Sequence, residues 1–78
     1  MVNSMTLEEF YKEHKDSKGW VELYHMVHSF TVCDYIGSIS AIPKRTLKCY
    51  GKFKIKISNH YILNNVLPVY EVDIKNKD

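Results

Sequence analysis

The sequence predicts an α+β domain, with one N-terminal helix packed on a four-stranded antiparallel sheet in the order α-β-β-(short helical turn)-β-β. Three observations lead there. Leu7, Phe10, Tyr11 and His14 recur at the spacing of one helix face. From Leu47 to Ser58 the chain alternates. Leu47, Cys49, Gly51, Phe53, Ile55 and Ile57 fall on one side, and Lys48, Tyr50, Lys52, Lys54, Lys56 and Ser58 on the other, the pattern of a half-buried strand. Shorter runs rich in β-branched and aromatic residues follow the helix and close the chain. With 78 residues, 45% apolar and 26% charged, the chain builds one small core rather than two, and it does not have the composition of a disordered segment.

Thr6-Leu-Glu-Glu9 has the form of a capping box, so the helix is expected from Thr6 to Asp16. Glu8 and Lys12 support it at the i, i+4 spacing, and Gly19 offers a left-handed stop. Trp20 to His25 is the first strand, with Val21 and Leu23 facing the helix. A turn within Met26 to Ser29 leads to a second strand, Phe30 to Ile36, ended by Gly37, and the two form an antiparallel hairpin. In the connection that follows, Ser40 can cap a short helical turn with Pro43 near its start, and Ile39, Ile42 and Leu47 plug the edge of the core.

Within the long alternating strand, Gly51 is a candidate bulge. Asn59-His60 and Asn64-Asn65 are both turn-forming pairs, and the last hairpin turn lies between them. Tyr70, Val72 and Ile74 then alternate with Glu71, Asp73 and Lys75; if this last strand pairs antiparallel with the alternating one, Glu71 and Asp73 lie across from some of its lysines. Asn76-Lys77-Asp78 is expected to fray.

Several function classes recede on inspection. No apolar run approaches the roughly 20 residues that span a bilayer, and Met1 to Glu9 has none of the basic and apolar regions of a signal peptide. A cytoplasmic protein with no membrane partner is expected. Cys33 and Cys49 are too few for a disulfide framework. They are expected as small buried hydrophobes, open to bridging if their strands are neighbours. His25-x-x-His28 with Cys33 includes metal-ligand types but lacks a Cys-x-x-Cys or His-Glu-x-x-His knuckle, so no metal is expected. No glycine-rich loop occurs and nothing sets a base beside the Cys33 thiol, so neither a cofactor nor catalysis is expected.

Charge is unevenly distributed behind a net +2. Residues 1–40 hold three lysines against six acids, whereas residues 41–58 hold six cations and no acid. Lys44, Arg45, Lys48, Lys52, Lys54 and Lys56, with Tyr50 among them and Trp20 as an aromatic anchor, make the candidate binding surface. A lysine stripe is most often the solvated side of a strand. Used functionally, it suits an acidic protein surface, with Trp20, Tyr24, Tyr35, Tyr50 and Tyr61 available as contact aromatics. It also suits a nucleic acid, through phosphate contacts and base stacking. A single arginine and a pI of about 8.5 weigh against the nucleic acid. A small structural or assembly subunit is the third alternative.

The helix Thr6-Leu-Glu-Glu-Phe10, the strand Val21-Glu-Leu-Tyr24, the turn Ser40-Ala-Ile-Pro-Lys-Arg-Thr-Leu47 and the terminal strand Tyr70 to Ile74 together resemble a group of small, mostly uncharacterised α+β proteins. Phages and mobile elements of low-GC Gram-positive bacteria carry them. The chain departs from that layout in its long lysine-rich strand and in the Asn59 to Leu67 stretch. The resemblance implies an accessory protein that binds and inhibits a host protein, as anti-CRISPR and other anti-defence inhibitors do. It transfers no individual site residue.

Overall fold

Thr6 turns the chain into its first helix by the expected device. In the computed structural model, which describes residues 5–75, the Thr6 hydroxyl accepts from the Glu9 amide at 3.2 Å and the Thr6 amide donates to Glu9 Oε1 at 2.8 Å. The helix, α1 (Leu7–His14), buries Leu7 and Phe10 and half-buries Tyr11 and His14. Two further first-turn amides find partners far along the chain: Leu7 donates to the Phe53 carbonyl at 3.0 Å and Glu8 to that of Gly51 at 2.9 Å.

Gly19 is not the expected left-handed stop. The helix ends at Lys15 in ordinary right-handed geometry. Gly19 is instead buried against Ile39, where a Cβ would come within 2.6 Å of Ile39 Cδ1. Its carbonyl accepts from the Ile39 amide at 3.0 Å.

Met5–Thr6 forms a two-residue strand, β1, ahead of the helix. The others are β2 (Trp20–Val27), β3 (Phe30–Ser38), β4 (Lys54–Leu63) and β5 (Leu67–Ile74). The four antiparallel strands expected from the sequence become five in a mixed sheet ordered β1-β4-β5-β2-β3. The hairpin of β2 and β3 is as expected, turning at His28-Ser29 with His28 in the left-handed region (φ 57°). The hairpin of β4 and β5 turns at Asn64-Asn65, both with positive φ, the pair suited to a tight hairpin. Asn59 lies instead at an irregularity in the β4 register.

β5 runs parallel to β2, at the centre of the sheet. Parallel pairing needs a crossover, and the stretch between β3 and β4 supplies one: a 3₁₀ turn (Ile39–Ala41) and a second helix, α2 (Lys44–Tyr50). This is a second correction. Leu47 to Tyr50, read above as the start of a strand, is helical, entered from Pro43 and ended at Gly51. Leu47 and Tyr50 are three apart, so turning inward together satisfies a helical period as well as burial demands. Cys49 is left exposed, and so is Cys33 on β3. Neither is the buried hydrophobe expected, and Cys49 lies on α2 rather than on a strand beside Cys33, the condition under which the two were open to bridging.

Strict alternation survives only at the start of β4, where Ile55 is buried between exposed Lys54 and Lys56. Ser40 makes no cap; its hydroxyl instead meets that of Ser38 at 2.9 Å. Ile39 and Ile42 do close the core as expected. That core joins Leu7 and Phe10 to Val21, Leu23, Ile55, Val72 and Ile74 on one face of the sheet. The expected fraying of Asn76-Lys77-Asp78 falls outside the described residues.

Candidate functional site

Strand register and burial divide the sheet into two unlike faces. Val21, Leu23, Ile55, Val72 and Ile74 point under α1 and α2. Their neighbours along each strand point the other way, onto a face that no described helix covers. Trp20, Glu22 and Tyr24 of β2 stand there, beside Val69, Glu71 and Asp73 of β5. These in turn stand beside Tyr61, Asn59 and Lys56 of β4.

The row formed by Trp20, Val69 and Tyr61 is the apolar centre of this open face. Val69 pairs with Trp20 on one side and Tyr61 on the other. It is only 1% exposed although no described helix lies above it, while Trp20 and Tyr61 are each 38% exposed. The row thus has a buried apolar centre flanked on both sides by partly exposed rings. Leu63, exposed, and Leu67 extend the row toward the β4–β5 turn.

Carboxylates occupy the next rows. Glu22 lies across from Glu71, and Asp73 from Tyr24. The Tyr24 hydroxyl donates to Glu22 Oε1 at 2.6 Å, which holds the phenol protonated and pushes its pKa up to about 12. Lys56 lies across from Asp73, as expected for the last hairpin, but Glu71 lies across from Asn59 rather than a lysine, so only part of the basic strand faces acid within the chain.

The candidate binding residues do not share one surface. Lys54 and Lys56 are on the open face of β4, and Trp20 is on the same face at the start of β2. Lys44, Arg45 and Lys48 are exposed on α2, on the opposite side of the sheet, and Lys52 is exposed in the turn after it. Tyr50 is not an outward-facing aromatic. It is half-buried, 5.7 Å from Phe53 and 5.6 Å from His25 between ring centroids, and burial together with the Asp34 charge raises its pKa. The split follows from α2: once residues 44–50 coil, cations that alternate along an extended chain spread around a helix.

His25, weighed above as a metal ligand, is held by Asp34, with Nδ1 2.6 Å from Oδ2. Among the described residues no three His, Cys, Asp and Glu side chains gather to hold a metal ion. No described helix is long and apolar enough to cross a membrane.

Tyr61 was among the contact aromatics read from the sequence, but Val69 and Leu63 were not picked out as binding residues. Their signal is the register, since a turn at Asn64-Asn65 sets Leu63 opposite Leu67 and Tyr61 opposite Val69. Comparison with protein-family models, with curated proteins and with solved structures finds no match for this chain.

Proposed function

We propose that the chain is a non-enzymatic protein-binding module that engages its partner through the face of the sheet that no described helix covers. The observation that carries this reading is the pair Trp20 and Tyr61, partly exposed on either side of a buried Val69. Large, stiff aromatic rings around an apolar centre are the usual anchors of protein interfaces, because they bury much area with few rotors to immobilise. Glu22 and Glu71, across from one another beside them, call for a partner whose apolar patch is bordered by a basic group. That the partner is a host protein and that binding inhibits it rest on the pattern resemblance to phage and mobile-element accessory proteins.

A tagged copy of the chain tests the site. Capture of a partner from a bacterial lysate should survive nuclease. It should be lost in Trp20→Ser/Tyr61→Ser and retained when Lys44, Arg45 and Lys48 are changed to Glu. Capture unaffected by the aromatic substitutions removes the open face from consideration.

A second reading has its own observation. Lys44, Arg45 and Lys48 are exposed on a helix that carries no acid, with Lys52 just beyond, an arrangement suited to phosphates. It predicts retention on single-stranded DNA or RNA that weakens steeply with salt. Loss of all capture on nuclease treatment favours this reading over the first.

A further inference from the structure

β3 is the strand at one edge of the sheet, opposite the edge formed by β1, and among the described residues no strand lies beyond it. A strand edge presents a row of backbone donors and acceptors whose natural complement is another strand, so folded proteins guard such edges with lysine, proline or a bulge. Residues 26–33, Met-Val-His-Ser-Phe-Thr-Val-Cys, carry no lysine, no proline and no acid, in a chain of which 26% is charged. The single irregularity of the hairpin leaves Asp34 unpaired, between the Leu23–Tyr35 and Tyr24–Cys33 pairs. It therefore interrupts the edge after Cys33 and leaves Phe30 to Cys33 straight. Asp34, the only formally charged residue on β3, is engaged by His25.

We propose that Thr31–Cys33 pairs antiparallel with the same segment of a second copy of this chain, about a two-fold axis at Val32 that sets Phe30 across from the copy's Asp34. The occupant is a second copy because this register satisfies both faces of the edge at once. On the helix side, Val32 meets its own copy, and Phe30, which is 73% exposed, packs diagonally against that valine. Val27, directly across from Phe30 within the chain, extends the same apolar surface. On the open side, Thr31 meets the copy's Cys33. No like charges are brought together. Such an isologous contact closes on itself as a dimer. An axis normal to the sheet keeps both open faces on one side, so the two sheets join with their Trp20–Val69–Tyr61 rows facing the same way. The pairing stands independently of what docks on those rows.

Three paired residues of edge bury less than the roughly 1,600 Å² of a standard interface, so the dimer is concentration-dependent. Sedimentation velocity under reducing conditions should show the mass rising with concentration from 9.2 kDa toward twice that value. Val32→Lys and Val32→Glu, each setting like charges opposite one another across the axis, should stay monomeric at every concentration while keeping the wild-type circular dichroism. Their equimolar mixture should recover the doubled mass. In the unaltered chain, amide exchange over residues 31–33 should slow as concentration rises. A wild-type chain that stays monomeric, a dimer that survives both substitutions, or a mixture that fails to associate overturns the proposal.

Discussion

The Glu8 amide donates to the Gly51 carbonyl at 2.9 Å, so the start of α1 is fastened to the turn that ends α2. Gly51 is buried, its φ is an ordinary −55°, and what excludes a side chain there is space. A Cβ would run into the Leu47 carbonyl oxygen and come within 3.5 Å of Glu8 Cβ. Gly51→Ala is expected to lose about 1–3 kcal/mol by overpacking. A thermal melt should show it as a fall of several degrees, at ~4–8 °C per kcal/mol for a domain of this size.

The capping box gives a pH-dependent expectation. The Thr6 amide, the first cause, lowers the pKa of the Glu9 carboxyl below its usual 4.5. A group whose folded pKa is depressed contributes stability above its unfolded pKa and loses it as pH falls through the folded one. Thr6→Ala should cost about 1 kcal/mol at neutral pH. The difference in urea midpoint between Glu9→Gln and the unaltered chain should narrow as pH drops below the carboxylate range.

Tyr24 behaves with the opposite sign. Its pKa is raised to about 12 by the hydrogen bond to Glu22 and by burial, so its contribution is complete below pH 10 and fades as pH rises toward 12. The chain has six tyrosines, so the ultraviolet phenolate titration is read as the difference from Tyr24→Phe. Glu22→Gln should bring the Tyr24 midpoint down toward 10.

Two phenylalanines should separate core from surface. Phe10 is fully buried and its ring meets that of Tyr70 edge-on at 5.4 Å, so Phe10→Ala should cost about 3–5 kcal/mol. Phe30 stands on the free edge, and Phe30→Ala at dilute concentration should change stability by no more than about 0.5 kcal/mol. Urea unfolding of both variants measures the contrast.

How much of this was legible in the chain depends on how local the cause is. The Thr6–Glu9 box, the inward Leu7–Phe10 face and the β2–β3 hairpin each follow from residues within a few positions of one another, and each appears as expected. The Leu47–Ser58 stretch misled because Leu47 and Ile55 face inward in either conformation. Only Tyr50 and Cys49 distinguish strand from helix there, and Pro43 at the helix entry decides in favour of coiling. The parallel pairing of β2 with β5 has no local signature. It results from α2 carrying the chain across the sheet. The candidate surface inherited that error: Trp20, Lys54 and Lys56 share the open face, but Tyr61 and Val69 become its centre only when the β4–β5 register is known.

Trp20 is the chain's only tryptophan, and 5-fluorotryptophan introduced into this chain alone gives one ¹⁹F resonance on the open face. Titrating in the captured partner should shift that resonance and cut its exposure to an added soluble paramagnet. A saturated complex in which the Trp20 signal keeps its position and its exposure would contradict docking through the open face.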